Sequence, residues 1–217
     1  MPGLFVSIEG PDGAGKSTLA RALARRLRAI GTDPVEVREP GGTPVAEAAR
    51  HAFLDPGMDA APEAEVFLLL AARADLVAKV LRPALAAGRI VISDRYDLST
   101  EAYQIAGRGL PAEAIRAANR VATGGLAPDL TLVLDAPADV GLARQAAMGK
   151  VSDRLERAET GFHARAAAAF RSARGPRIVH LDASRPARDV EVAAWDAIES
   201  LVRKQTAAER VPTTNGP

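Results

Sequence analysis

A doubly wound, three-layer α/β domain, with a five-stranded parallel sheet flanked by helices, is the fold this sequence predicts. Three observations predict it. Five short β-prone runs alternate with helical segments along the chain. Several of those runs are apolar nearly throughout, as strands covered on both faces must be. The first run opens directly into a glycine-rich turn and then a helical stretch, which is the start of a β-loop-α unit.

In chain order the strand-like runs are LFVSIE (4–9), PVEVRE (34–39), RIVISD (89–94), DLTLVLD (129–135) and RIVHLD (177–182). Helical patterning covers 17–30, 44–54, 63–87, 98–106, 111–122, 139–148, 155–173 and 187–204. The segment 63–87 is apolar around much of its circumference (Val66, Phe67, Leu69, Leu70, Leu76, Val77, Val80, Leu81). Such a helix is either central to the fold or half of a dimer interface. Trp195 shares a stripe of the last helix with Val192, Ile198, Leu201 and Val202, which reads as core packing. From Gln205 the chain is polar with two prolines and a glycine, so 1–204 is expected to be one domain and 205–217 a disordered tail.

The composition fits one ordinary globule of 217 residues, 47% hydrophobic and 25% charged. A net charge of +1 argues against nucleic acid or a membrane surface as partner, since either needs a visible basic excess. There is no cysteine, so no disulfide frame, thiolate nucleophile or cysteine-ligated zinc is available. The three histidines (His51, His163, His180) have no ligand spacing. No apolar run approaches the roughly 20 residues needed to cross a bilayer. The first strand begins within a few residues of Met1, leaving no space for a signal peptide, so a cytoplasmic location is expected.

The chemistry is concentrated first in GPDGAGKST (Gly10, Pro11, Asp12, Gly13, Ala14, Gly15, Lys16, Ser17, Thr18), which fits G-x-x-x-x-G-K-[ST] between a strand and a helix. Glycines let the backbone wrap a phosphate, while loop N–H groups and the helix N-terminus point at the anion. Lys16 reaches the β- and γ-phosphates of a nucleoside triphosphate and the Ser17 hydroxyl holds Mg²⁺. That loop by itself leaves kinases, GTPases, ATPases and transporter subunits open. REPGGT (Arg38–Thr43), closing the second strand, offers a cation, a proline turn and bare glycine backbone to a further anion. In DRYDLSTEAYQ (Asp94–Gln104), Asp94 ends an apolar strand where a Mg²⁺-orienting acid belongs, with Asp135 as its rival, and Arg95 offers a phosphate monoester a fork-shaped partner. Arg73, on the long apolar helix, needs an acceptor if buried, and a substrate carbonyl can supply it.

Together IEGPDGAGKST, REPGGT, AEVFLLLAAR (64–73), DRYDLSTEAYQ, APDLTLVLD (127–135) and DR-x-E (Asp153–Glu156) resemble the thymidylate kinase family in its bacterial form. The likeness runs from the phosphate loop to about Asp182. It implies a P-loop nucleoside monophosphate kinase fold and transfer of the γ-phosphoryl group of ATP to dTMP, with Mg²⁺ held by Ser17 and Asp94. It implies that residues 10–18 bind ATP and that Asp12 in the loop faces the acceptor's sugar and phosphate. It implies that Arg38 and Arg95 hold the dTMP phosphate, that Arg73 bonds the base, and that Ser99, Thr100, Tyr103 and Gln104 line the pyrimidine and deoxyribose pocket. Adenine is expected near Asp182–Pro186. The resemblance also implies a homodimer through the long helices and a lid over 144–157. The phosphate loop has Gly13 where one branch carries a basic residue, so the catalytic arginine is expected in that lid. Arg144, Lys150, Arg154 and Arg157 are candidates, and Arg154 is the first choice. Where close relatives stack a phenylalanine on thymine, this chain has Leu69, with Phe67 expected on nearly the opposite side of the helix. Weaker base binding or looser selectivity among pyrimidines is the expected consequence.

Overall fold

The computed structural model describes residues 3–136, 141, 154–155 and 157–209. Five strands form one parallel sheet: β1 (Leu4–Glu9), β2 (Val35–Arg38), β3 (Ile90–Asp94), β4 (Leu130–Asp135) and β5 (Ile178–Asp182), in the order β2-β3-β1-β4-β5. Each strand lies within one residue of its predicted limits. Parallel strands keep their carboxyl ends on one edge, so Glu9, Arg38, Asp94, Asp135 and Asp182 all finish there.

The three central strands, β1, β3 and β4, are buried on both faces, which is why they read as apolar runs, whereas the edge strands β2 and β5 are only partly covered. On one face Leu4, Val6 and Ile8 of β1 pack with Leu19, Leu23 and Leu27 of α1 (Lys16–Ala29) and with Trp195 and Ile198 of the last helix. On the other face Phe5 and Val91 pack with Leu76, Val77 and Leu81. Trp195 is core with Ile198 and Val202, as its stripe predicts, whereas Val192 of that stripe is exposed; the Arg26 guanidinium lies 4.3 Å from the Trp195 ring centroid.

The helices depart from the pattern where proline or the site intervenes. α2 (Pro44–Leu54) matches its expectation. The predicted helix 63–87 is α3 (Pro62–Leu76), a π-helical turn over Val77–Leu81 and α4 (Arg82–Ala86). Pro83 lacks the N–H that a continuous ladder needs, and the wider turn just before it absorbs the mismatch. The predicted helix 98–106 is a short α5 (Asp97–Thr100) running into a π-helical stretch, Glu101–Gly107. α6 spans Ala112–Thr123, α7 Thr160–Ser172 and α8 Ala187–Glu209. α7 thus begins later than its apolar pattern predicts, and α8 continues past Lys204 into the stretch expected to be disordered. Residues 139–140 and 142–148 of the expected helix 139–148, and residues 210–217, lie outside the described residues.

Candidate active site

A cavity of about 390 Å³ opens at the carboxyl edge of the sheet. It is lined at one end by the phosphate loop and at the other by residues from β2, α2, α3 and the segment after β3.

The loop is shaped by glycines at positive φ. Gly10 has φ +135°, and a Cβ there would stand 2.6 Å from the Leu134 carbonyl oxygen. Gly15, at φ +98°, is the residue before α1 and has open space where a side chain would project. No side chain caps α1, so its first N–H groups face that space, an arrangement suited to an anion. Lys16 is buried beneath the loop, its Nζ donating to the carbonyls of Gly10 (3.0 Å) and Pro11 (2.7 Å). Burial pushes its ammonium down to about 8, with the neighbouring Arg95 charge adding to the shift. Ala14 is part of the core below the loop.

Ser17 Oγ donates to Asp94 Oδ2. The rival carboxylate, Asp135, instead pairs with His180 Nδ1 at 2.8 Å. One hydroxyl beside one carboxylate is a hard-oxygen pair that fits Mg²⁺, an ion usually held by one or two protein oxygens together with water and substrate phosphates. Among the described residues no cluster of three or more acidic or histidine side chains forms a protein-only metal cage.

Arg95 joins the two ends. Its backbone sits at φ +77°, unusual for any residue but glycine, and is held there by Arg95 N donating to the Ile8 carbonyl (2.9 Å) and by Ser93 Oγ donating to the Arg95 carbonyl (2.6 Å). The conformation turns the guanidinium back over the loop, where it donates to Asp12, to the Gly10 carbonyl and to Ser99 Oγ (3.1 Å). Asp12 also accepts from the Tyr103 hydroxyl at 3.0 Å. Behind this layer Glu9 is fully buried and accepts from the N–H groups of Tyr96 (2.8 Å) and Ser99 (3.3 Å) and from Ser99 Oγ (2.6 Å). Burial raises the Glu9 carboxyl to about 7.

Arg73 occupies a cage of acceptors. Nε donates to Glu39 (2.7 Å), Nη1 to Thr100 Oγ1 (2.9 Å) and Asn119 Oδ1 (2.7 Å), and Nη2 to the Tyr96 carbonyl (2.8 Å). Both Arg73 and Glu39 are 1% exposed at the side chain, yet both line the cavity. Arg38 is held more loosely. It is half-exposed and forks onto Glu47 of α2 at 3.1 Å to each oxygen, a pair of the kind worth at most about 1 kcal/mol.

Most of the predicted site residues meet at this cavity: Asp12, Gly13, Gly15, Lys16, Ser17, Thr18, Arg38, Leu69, Arg73, Asp94, Arg95, Ser99, Tyr103 and Gln104 all line it. Five do not: in the loop Gly10 and Pro11 lend their carbonyls to Lys16 and Ala14 packs in the core, and Thr100 and Arg154 are placed elsewhere. Thr100, expected as a pocket wall, stands behind Arg73 because that buried guanidinium needs its hydroxyl as an acceptor. Arg154, expected over the transferring phosphoryl group, bonds Glu65 of α3 at 3.0 Å and the Phe53 carbonyl at 3.1 Å. Arg144 and Lys150 lie outside the described residues, and Arg157 is exposed. Phe67 is 63% exposed on the outer side of α3, as its spacing from Leu69 predicts. Sequence reasoning missed Arg50 and Phe53, which reach the cavity from α2 and carried no signal of their own. It also missed Glu65, which lies at i and i+4 spacing from Leu69 and so on the stripe that carries Arg73.

A parallel sheet ending in a phosphate loop, with a second cationic end in the same cavity, defines a phosphate-loop nucleotide kinase. The sequence profile of the family described as Thymidylate kinase matches residues 8–193. A thymidylate kinase of Deinococcus radiodurans is 45% identical over 199 residues, covering 90% of this chain and 96% of the relative. One of Pseudomonas fluorescens SBW25 is 46% identical, covering 94% and 99%, and one of Pseudomonas putida GB-1 is 52% identical over 75% and 77%. The chain belongs to the thymidylate kinase family.

Proposed function

We infer that this chain transfers the γ-phosphoryl group of ATP to the 5′-phosphate of dTMP, giving dTDP and ADP for DNA precursor synthesis. The observation that carries the reading is one continuous cavity with a phosphate loop at one end and Arg38, Arg73 and Arg95 at the other. A bare ATPase has no use for the second cationic end.

Residues 10–18 hold the ATP phosphates, with Lys16 charged against the β- and γ-oxygens. Ser17 and Asp94 would hold Mg²⁺, which would supply neutralising charge to the ATP phosphates. Arg95 and Arg38 seat the monophosphate, and Arg38 gives up only a weak surface pair to do so. An acceptor phosphate oxygen bonds to the γ-phosphorus while the bond to the β–γ bridging oxygen breaks, so no protein nucleophile is needed. The protein supplies position and positive charge. Tyr103, whose ring lies under the Arg95 guanidinium at 5.1 Å, fits a group that crowds the sugar's 2′ position. Arg154 remains our choice for the lid cation, and delivering its charge requires release from Glu65. Adenine is placed beside Asp182–Pro186, a turn tied to β4 by Ala183 N donating to the Asp135 carbonyl (2.9 Å).

The same reading includes a homodimer. Ala64, Phe67 and Ala71 are exposed on α3 at spacings of three and four, and Ala114, Ala117 and Val121 repeat this on α6, which packs beside it. Val121 is 85% exposed. An apolar face of this kind marks an interface. Among the described residues no helix is long and apolar enough to cross a membrane, and both substrates are cytoplasmic solutes, which supports a cytoplasmic location.

A coupled ADP-release assay with dTMP, dUMP, UMP and thymidine tests the activity. ADP should form only when an acceptor is added, and fastest with dTMP. Arg95→Ala should raise the KM for dTMP by about tenfold to a hundredfold. ADP release indifferent to acceptor, or an unchanged KM in Arg95→Ala, would overturn the reading.

A further inference from the structure

Glu9 ends β1 fully buried, behind the cavity wall rather than in it, and the phosphoryl-transfer chemistry gives it no part. Its two oxygens have different partners. Oε1 accepts from the backbone N–H groups of Tyr96 (2.8 Å) and Ser99 (3.3 Å), at the opening of α5. Tyr96, the residue before that helix, gives it no side-chain cap, so Glu9 serves as its acceptor from a neighbouring strand. Oε2 accepts from Ser99 Oγ at 2.6 Å. A carboxylate can only accept and a hydroxyl has one proton, so the Ser99 proton points at Glu9 and the lone pairs of its oxygen are left for other donors. Arg95 Nη1 takes one of them, at 3.1 Å. The guanidinium also donates to Asp12 and to the Gly10 carbonyl, both in the phosphate loop, so Ser99 is its acceptor on the α5 side.

We propose that Glu9 is a positioning residue for the acceptor phosphate. By taking the Ser99 proton it turns the serine oxygen toward Arg95, and that oxygen, with the acceptors of the loop, fixes the guanidinium plane offered to the monoester. The proposal rests on the reading of Arg95 as a partner of the dTMP phosphate.

Glu9→Gln separates this role from that of holding α5. The N–H groups of Tyr96 and Ser99 keep the amide oxygen at the Oε1 position, which places NH₂ against Ser99 Oγ. The serine then accepts where it donated, its proton turns off that line, and the negative charge behind Arg95 is lost. The assay is run at pH 8, above the value of about 7 to which burial raises this carboxyl. KM for dTMP should rise by about threefold to tenfold, with kcat, KM for ATP and the unfolding midpoint near parental. In an Arg95→Ala background the same substitution should change KM for dTMP by less than about twofold, because no guanidinium is left to set. A parental KM in Glu9→Gln beside a raised one in Arg95→Ala, or equal rises in both backgrounds, would overturn the role of Glu9 and leave the site reading intact. An unchanged KM in Arg95→Ala would overturn the placement of the monophosphate itself. Should Glu9→Gln fail to fold, Ser99→Ala decides, since it keeps both backbone N–H groups on Glu9 and removes only the linking hydroxyl. A similar rise in KM for dTMP is expected, again only with Arg95 present. A parental KM, or the same rise without Arg95, would overturn the proposal.

Discussion

The donor and acceptor ends of the cavity are built by opposite means. The proposed donor end is nine consecutive residues that would bind chiefly through backbone N–H groups, so its geometry is local and travels with the motif. The acceptor end draws single side chains from β2, α2, α3 and the stretch after β3, and the most buried of them are caged by other protein groups. Lys16 lies under a loop that can be emptied of its side chain without leaving a buried charge uncompensated. Arg73 is neutralised by Glu39 inside the core, so in the proposed reading binding and folding would share the same residue. A motif built from backbone separates binding from stability, and a pocket built from buried ion pairs does not.

Replacing one residue at each end would break or sharpen that contrast. Lys16→Ala is expected to lower kcat by about 10³-fold or more. Its unfolding midpoint should stay unchanged or rise, because burying the ammonium opposes folding. Denaturant melts beside the coupled assay measure both, and a large loss of stability would erase the distinction. Arg73→Leu should destabilise by about 3–5 kcal/mol, since it leaves the Glu39 carboxylate buried and unpaired. Adding Glu39→Leu should recover part of that loss, and a single variant as stable as the parent would show that the cage is not what holds the helix. Leu69→Phe should tighten dTMP binding by on the order of 1–3 kcal/mol if the base lies against this side chain. Titration calorimetry giving equal or weaker binding would remove the acceptor base from that wall. The smallest expected effect is in protons. Lys16 in the free protein titrates near 8, and a bound triphosphate raises that value, so ATP binding at pH 8 should take up about half a proton. Uptake should vanish near pH 6.5, where the ammonium is already charged. The binding enthalpy at pH 8 should therefore vary with the ionisation enthalpy of the buffer, and a value independent of buffer would contradict the shift.

The five strands and most of the cavity lining were legible in the sequence because period and motif are local properties. The strand-to-loop-to-helix order around Lys16 left little freedom, and Asp94 and Arg95 followed from their place at a strand end. Thr100 was read as a pocket wall from its motif, yet it serves Arg73 from behind, since contact within a motif does not fix which side of a neighbour a hydroxyl takes. Arg154 was read as a phosphoryl contact; in this structure it bonds Glu65, far away in sequence, a pairing that periodicity could not foresee. The π-helical stretches at Val77–Leu81 and Glu101–Gly107 keep an ordinary apolar pattern, so periodicity could not separate them from α-helix.

What the sequence determined alone was the parallel α/β plan and the phosphate-binding turn, because apolar periodicity and glycine backbone freedom act over a few adjacent residues. What only the tertiary structure decided was how the acceptor end is wired. Which acceptors surround Arg73, which carboxylate holds Arg154 and which groups share Glu9 all depend on residues brought together from distant parts of the chain. Burial makes each of those pairings compulsory, since a polar group removed from water must find its partner among whatever the fold places beside it.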